Sequence, residues 1–139
     1  MRRIALAFLA LTALAALTAP AAASVMAYQC HFPQSRDRDW VQPLIFFGHD
    51  TRSGRVVISD AGILHFNEGQ PAEGRVEVTG AEITVHWQVR MRGAFNMRVL
   101  MTYRARIDRR TGQVTVLALG RGQGIRQERR GQCEMRELS

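Results

Sequence analysis

The sequence contains no lysine and only two cysteines, and these absences set the first limits on the class of protein. Two cysteines exclude a multi-cysteine zinc site and an iron–sulfur cluster. No run of about 20 apolar residues occurs beyond the N-terminal segment, so the mature chain is predicted to lack a transmembrane helix. All 19 basic residues are arginines, against 12 acidic residues. The composition therefore indicates a small basic domain without a cysteine-rich metal site.

Catalytic signatures are absent as well. No G-x-S-x-G, S-x-x-K, H-x-H or H-E-x-x-H motif occurs, so the sequence indicates neither a serine nucleophile nor a zinc site. The four histidines, His31, His49, His65 and His86, stand far apart in the sequence. We therefore predict that the protein is not an enzyme and uses no cofactor and no metal.

The N-terminus has the three parts of a secretory signal. A positive start, Met1-Arg2-Arg3, precedes an apolar run over residues 4–17, and Ala21-Ala22-Ala23 supplies a small-residue cleavage pattern. We predict a signal peptide over residues 1–23, with cleavage after Ala27 as the alternative. Residues 24–139 then form a single periplasmic or secreted domain with net charge +5.

Export would place Cys30 and Cys133 in an oxidising compartment, near the two ends of the mature chain. We predict a structural disulfide between them, closing a loop of roughly 100 residues. The alternative is a reactive thiol pair, but such pairs are usually close in sequence.

Hydrophobic residues recur with a period of two, which is typical of half-buried strands. Apolar side chains occupy the odd positions of residues 83–91 and 97–107, and residues 93–96 between them predict a long hairpin. Asp50 and Asp108 each precede a glycine by four residues, a spacing that indicates tight turns. Further candidate strands are residues 27–32, 42–49, 54–59, 63–67, 74–78, 113–119 and 125–134. The predicted fold is all-β, an antiparallel barrel of about eight strands closed by the terminal disulfide, with a β-sandwich as the alternative.

Three short motifs carry a resemblance: Tyr28-x-Cys30-x-Phe32, Trp40-Val41-x-Pro43 and Gly131-x-Cys133. In these the chain resembles a group of uncharacterised small secreted bacterial proteins with one Cys near each end, which implies no particular activity. It is also similar to the barrel-type inhibitors of C-type lysozyme in export, size, the Tyr-x-Cys start and a late Cys. That likeness implies an inhibitor of a secreted hydrolase, acting through a loop such as residues 33–41 or 92–96. The Ser-Gly-x-x-Tyr loop of those inhibitors is missing, and a positive charge is the wrong sign for a basic lysozyme.

Charge is distributed unevenly along the chain. Residues 24–89 have a net charge of −3, whereas residues 90–139 have a net charge of +8. The period of two places one set on the polar face of the hairpin: Arg90, Arg92, Arg98, Arg104 and Arg106, with His86. Guanidinium groups grip phosphates and carboxylates with paired hydrogen bonds, so this face predicts an anionic partner, either a lipid head group, a glycan or an acidic protein. Nucleic acid is not expected, because no aromatic residues alternate with the arginines. The alternative is a solvated face in a chain that uses arginine for every cation.

The opposite face of the same hairpin is apolar and rich in methionine: Trp87, Met91, Met97, Met101 and Tyr103. In a wide barrel these side chains would line a site for a small apolar ligand, and in a narrow one they would be core. The sequence leaves this choice open, together with the oligomeric state.

Overall fold

The structure is a computed structural model that describes residues 24–33 and 39–138. The predicted signal peptide and the centre of the 33–41 loop lie outside the described residues.

Eight antiparallel strands form a closed barrel in which each strand pairs with its neighbours in sequence, and the last pairs with the first. The predicted barrel is confirmed, and the sandwich alternative is wrong. The strands are β1 (Val25–His31), β2 (Leu44–Asp50), β3 (Arg55–Ser59), β4 (Ala72–Thr79), β5 (Glu82–Arg92), β6 (Arg98–Asp108), β7 (Gln113–Gly120) and β8 (Ile125–Leu138).

The two ends of the barrel differ in the length of their connections. Residues 51–54, 80–81 and 109–112 make short turns at one end, which we call the turn end. Residues 32–43, 60–71, 93–97 and 121–124 join the strands at the other end, which we call the loop end. Binding residues in barrels often lie on such longer connections, held by a rigid wall.

The turn end is built by the two predicted aspartate–glycine turns. The Asp50 carboxylate accepts hydrogen bonds from the backbone N–H of Arg52 and Ser53, and the Asp108 carboxylate accepts one from Arg110. The hydrogen bonds that each carboxylate accepts lower its pKa. The largest effect comes from the Ser53 side chain at Asp50 and from the Arg110 backbone N–H at Asp108. Gly54 and Gly112 have φ of 73° and 77°, the left-handed region in which glycine is unstrained.

One short helix, α1 (Ala61–Phe66), lies at the loop end, where we expected a strand over residues 63–67. That prediction is wrong. Asp60 caps the helix, because its carboxylate accepts the Ile63 N–H at 2.7 Å. Ile63 is buried and holds the helix against the barrel mouth.

The barrel closes between β1 and β8, where Cys30 lies directly opposite Cys133. These residues form a disulfide with their Cα atoms 3.9 Å apart, as predicted from the sequence. Seven residue pairs, from Val25 with Leu138 to His31 with Gln132, continue the sheet across this seam. First and last strands are therefore joined both covalently and by strand pairing.

The barrel interior is filled by the inward side chains of the alternating strands. Trp87 and Tyr103 stack with ring centroids 5.0 Å apart, and Phe47 meets Trp87 edge-on at 5.4 Å. The Tyr103 hydroxyl donates to the carbonyl of Trp40 at 2.8 Å. These contacts make the interior of the barrel its hydrophobic core.

Candidate functional site

All five predicted arginines of β5 and β6 are exposed on the outer face of the barrel. Their positions follow from strand geometry, because successive side chains point to opposite faces. Val89 and Met91, for example, are buried, while Arg90 and Arg92 between and beyond them are exposed.

The strand register divides this face into rows. Arg92 lies opposite Arg98, and Arg90 lies opposite Leu100. Further along the same two strands, His86 lies opposite Arg104. Like charges face each other in the Arg92–Arg98 row, an arrangement that costs free energy unless an anion lies between them.

Near the turn end some of the basic side chains have carboxylate partners, although Arg104 has none within 4 Å among the described residues. Arg106 donates to both oxygens of Glu82, each at 3.2 Å. The Nε2 atom of His86 and the Nε atom of Arg75 each lie 3.9 Å from one oxygen of Glu77. These pairs are largely exposed, so each contributes little to stability, but they compensate charge locally. A groove there alternates the two signs, with Arg104, Arg106 and Arg130 beside Glu82, Asp108 and Glu128.

At the loop-end part of β5 and β6, the arginines have no carboxylate partner among the described residues. Within the described part of the chain, Arg90, Arg92 and Arg98 have no carboxylate within 4 Å. They line one groove of about 470 Å³ together with Phe66, Met91, Val99 and Leu100, and no acidic residue among those the structure describes contributes to its wall. The Nη1 atom of Arg92 donates a hydrogen bond to the side-chain oxygen of Asn96 at 3.4 Å. We call Arg90, Arg92 and Arg98 the arginine cluster.

The arginine cluster lies on the part of the β5–β6 hairpin that extends past the neighbouring strands. β4 pairs with β5 at residues 82–86, and β7 pairs with β6 at residues 101–107. β5 and β6 continue to pair with each other as far as Arg92 and Arg98. The predicted hairpin therefore extends past its neighbours as a two-stranded ribbon, with residues 93–97 at its tip.

The predicted apolar-ligand residues are brought together in part. Trp87, Met91, Met101 and Tyr103 are all buried on the inner face, and the two aromatic rings stack on each other. The expectation that Met97 shares this face is wrong, because Met97 precedes β6 and 44 % of its side chain is exposed. Its carbonyl instead accepts the Gly93 N–H at 2.7 Å and closes the hairpin. The tight packing of the other four favours a core role over a ligand cavity.

One polar atom of this core lacks a partner. The indole N–H of Trp87 is buried without a hydrogen bond among the described residues. The Tyr103 hydroxyl lies 3.9 Å from the sulfur of Met91 as well as donating to Trp40. Burial, followed by the nearby Asp60 carboxylate, raises the pKa of Tyr103, so the phenol stays protonated and can act as a donor at neutral pH.

Asp60 is a buried carboxyl group that sequence reasoning did not single out. Burial raises its pKa, and the hydrogen bonds from the backbone N–H groups of Ile63 and Gly62 oppose that rise. The sequence signal was the aspartate immediately before the α1 segment, which is a typical N-cap position. Its contacts give it a structural role in holding α1 at the loop end.

A second feature missed in the sequence fastens residues 39–43 to the barrel. The Gln127 side-chain oxygen accepts the backbone N–H of Trp40 at 2.7 Å and of Val41 at 3.0 Å. Arg129 lies 3.1 Å from a carboxylate oxygen of Asp39, so this acid pairs with β8. No single-strand pattern could show this, because the partners are about 90 residues apart.

Other site classes find no support within residues 24–33 and 39–138. No three His, Cys, Asp or Glu side chains there lie together as metal ligands. No helix in that part of the chain is long and apolar enough to cross a membrane.

His49 is buried, and this burial is the main cause of its lowered pKa. The Arg109 cation lowers the pKa of His49 further, and Asp50 has a smaller opposing effect.

The fold and the site define an eight-stranded, disulfide-closed antiparallel barrel with an uncompensated arginine cluster at its loop end. No family model matches the chain, and neither a curated protein nor a solved structure is significantly similar to it.

Proposed function

We propose that this protein is a non-enzymatic, exported binding module that engages an anionic partner through its arginine cluster. The observation that carries the proposal is the convergence of Arg90, Arg92 and Arg98 on one groove, whose walls contain no acidic residue in the part of the chain that the structure describes. Guanidinium groups that are not paired with a carboxylate can bind phosphates, sulfates or carboxylates bidentately. The Cys30–Cys133 disulfide supports the exported part of the proposal, since such bonds persist in oxidising compartments.

The location of the paired charges narrows the predicted site. Arg106 and His86 each have a carboxylate within 4 Å, and Arg104 shares a groove with acidic residues. The arginine cluster has no carboxylate within 4 Å in the described residues, and no described acidic residue lines its groove. An anion that approached Arg106 would compete with Glu82 for the same hydrogen bonds. The proposed site is therefore the loop-end half of the predicted arginine face.

The test is retention on immobilised heparin, used as a soluble polyanion probe. We expect the mature protein to bind at about 0.1 M salt and to elute as screening increases. Replacing Arg90, Arg92 and Arg98 with glutamine should weaken retention at least tenfold, because three charge-assisted contacts are lost.

A matched control removes the same charge elsewhere. Arg52 and Arg110 lie in the turns of the turn end and Arg136 lies near the end of β8, and all three are exposed. Their replacement by glutamine changes net charge equally and should change retention far less. Equal losses in the two triple variants would mean that net charge alone causes binding, and the proposal would be refuted.

A further inference from the structure

We infer that the anionic partner is a lipid bilayer surface, and that the tip of the β5–β6 ribbon inserts into it with Phe95 leading. The inference rests on the proposed function and names the partner of the same site. It is carried by the exposed side chains of Phe95 and Met97 and by the arginine cluster behind them.

Phe95 is placed where the fold does not need it. It lies at the tip of the ribbon with 98 % of its side chain exposed. Its φ is +57°, a left-handed conformation that is uncommon for bulky residues and suits glycine or asparagine. Phe95 therefore neither packs in the core nor favours its own turn. A large apolar group held in water on a strained turn is explained by a contact outside the molecule.

A second apolar residue lies beside Phe95 at this tip, because Met97 is 44 % exposed. Leu100 is also exposed, at 42 %, but it lies opposite Arg90 and therefore behind the Arg92–Arg98 row. Phe95 and Met97 form an apolar tip on the part of the hairpin that extends past the pairing with β4 and β7. Among the described strands, none pairs with the ribbon at this tip.

The arginine cluster is placed at the depth where lipid phosphates would lie. Arg92 and Arg98 form the row next to the tip, and Arg90 lies two residues further along the strand, about 7 Å away. The polar headgroup layer of a bilayer is about 5–8 Å thick on each side. A tip that reached the acyl boundary would therefore hold all three guanidinium groups among the phosphates, with their alkyl stems along the apolar layer.

This layered order favours a membrane over a soluble polyanion or an acidic protein. A glycan or an acidic surface would use the arginine cluster but would leave Phe95 in water. An anionic bilayer satisfies both parts, because its phosphates attract the arginines and its interface accepts the aromatic ring.

The experiment is co-sedimentation of the mature, disulfide-bonded protein with vesicles. One set contains phosphatidylcholine with phosphatidylglycerol in about a 3:1 ratio, and the other contains phosphatidylcholine alone. We expect binding to the anionic vesicles only, about tenfold weaker in Phe95→Ser and about 100-fold weaker in the Arg90, Arg92, Arg98 to glutamine variant. Phe46→Ser is the matched control, because Phe46 is an exposed phenylalanine on β2 (43 %) and its loss should leave binding unchanged.

A Phe95→Trp variant gives a direct readout of insertion. The emission that this variant adds to that of Trp40 and Trp87 in the wild type should shift to the blue on anionic vesicles. The added emission should also be quenched by lipids brominated in the acyl chain. An unquenched indole signal from this variant, or full anionic binding by Phe95→Ser, would overturn the insertion of the tip.

The heparin assay separates the two levels of failure. A wild-type protein that binds heparin but not anionic vesicles would overturn the lipid inference and leave the proposed function standing. Binding to neither probe would overturn both. Loss of vesicle binding in Phe95→Ser with heparin retention unchanged would support both, since the cluster would still be intact.

Discussion

The disulfide offers the sharpest quantitative prediction, because its stabilising effect arises mainly in the unfolded chain. Cys30 and Cys133 are 103 residues apart in sequence and directly opposite each other in the β1–β8 pairing. Replacing both with alanine leaves the seven residue pairs of that seam available, so the folded barrel should persist. Opening a loop of this length restores chain entropy worth about 4.7 kcal/mol at 25 °C in the loop-closure model. The free energy of unfolding should fall by up to that amount.

For roughly 110 ordered residues, each kcal/mol corresponds to about 4 °C in Tm, so the double alanine variant should melt about 20 °C lower. Thermal unfolding followed by circular dichroism measures this directly. Reductant should lower the Tm of the wild type by a similar amount and should leave the cysteine-free variant unchanged. A decrease of less than about 5 °C would contradict the loop-entropy argument and would mean that strand pairing alone closes the barrel.

Two further predictions concern Gly131, which lies within β8 against the end of β1, and Asp60, which caps α1. A Cβ atom at position 131 would lie 2.2 Å from the His31 carbonyl oxygen, so Gly131→Ala should destabilise the protein by about 2 kcal/mol or more in urea unfolding. Gly93→Ala is its control, with ordinary contacts at 3.5 Å, and an equal loss there would refute the clash. At Asp60 the folded-state pKa is raised, so this group stabilises the fold fully below its unfolded pKa of about 3.9, and that contribution is lost as pH rises through the folded-state pKa. Asp60→Asn keeps a capping oxygen without the charge, and its stability relative to wild type should rise between about pH 4 and pH 7. If the free energy of unfolding depended on pH in the same way for both proteins, burial of this carboxyl group would have no energetic effect.

Most of the barrel strands could be predicted from the sequence, because the alternation of apolar and polar residues is visible within each strand. The alternation of buried and exposed residues along β5 and β6 is a local pattern, and the side chain of each residue follows from its parity. The turns were equally local, since Asp50 and Asp108 each bond to backbone within three residues. The disulfide followed from compartment and count, because only two cysteines were available to pair.

The parts that escaped prediction depend on contacts between distant segments or on very short elements. α1 has only six residues, too few for a helical period to show, and its apolar residues also fit a strand. The parity argument failed at Met97 because the turn at residues 94–96 interrupts the strand before that residue. Which arginines have carboxylate partners depends on the register between strands, as with Arg106 and Glu82. Sequence alone could therefore find the arginine face but not its uncompensated half.

The strand order converts the uneven distribution of charge along the chain into an uneven distribution of charge around the barrel. Because the strands pair in sequence order, the basic second half of the chain forms one side of the wall. An arginine-biased composition explains why every cation is an arginine, but it does not explain where the carboxylates are. Among the described residues, Glu82, Asp108 and Glu128 share a groove with arginines near the turn end, and no carboxylate lines the groove of the arginine cluster. Composition also does not explain why an exposed phenylalanine lies at the tip of the ribbon that carries the arginine cluster. The coincidence of these two features on a single extended ribbon is the strongest argument for the proposed binding at this end of the barrel.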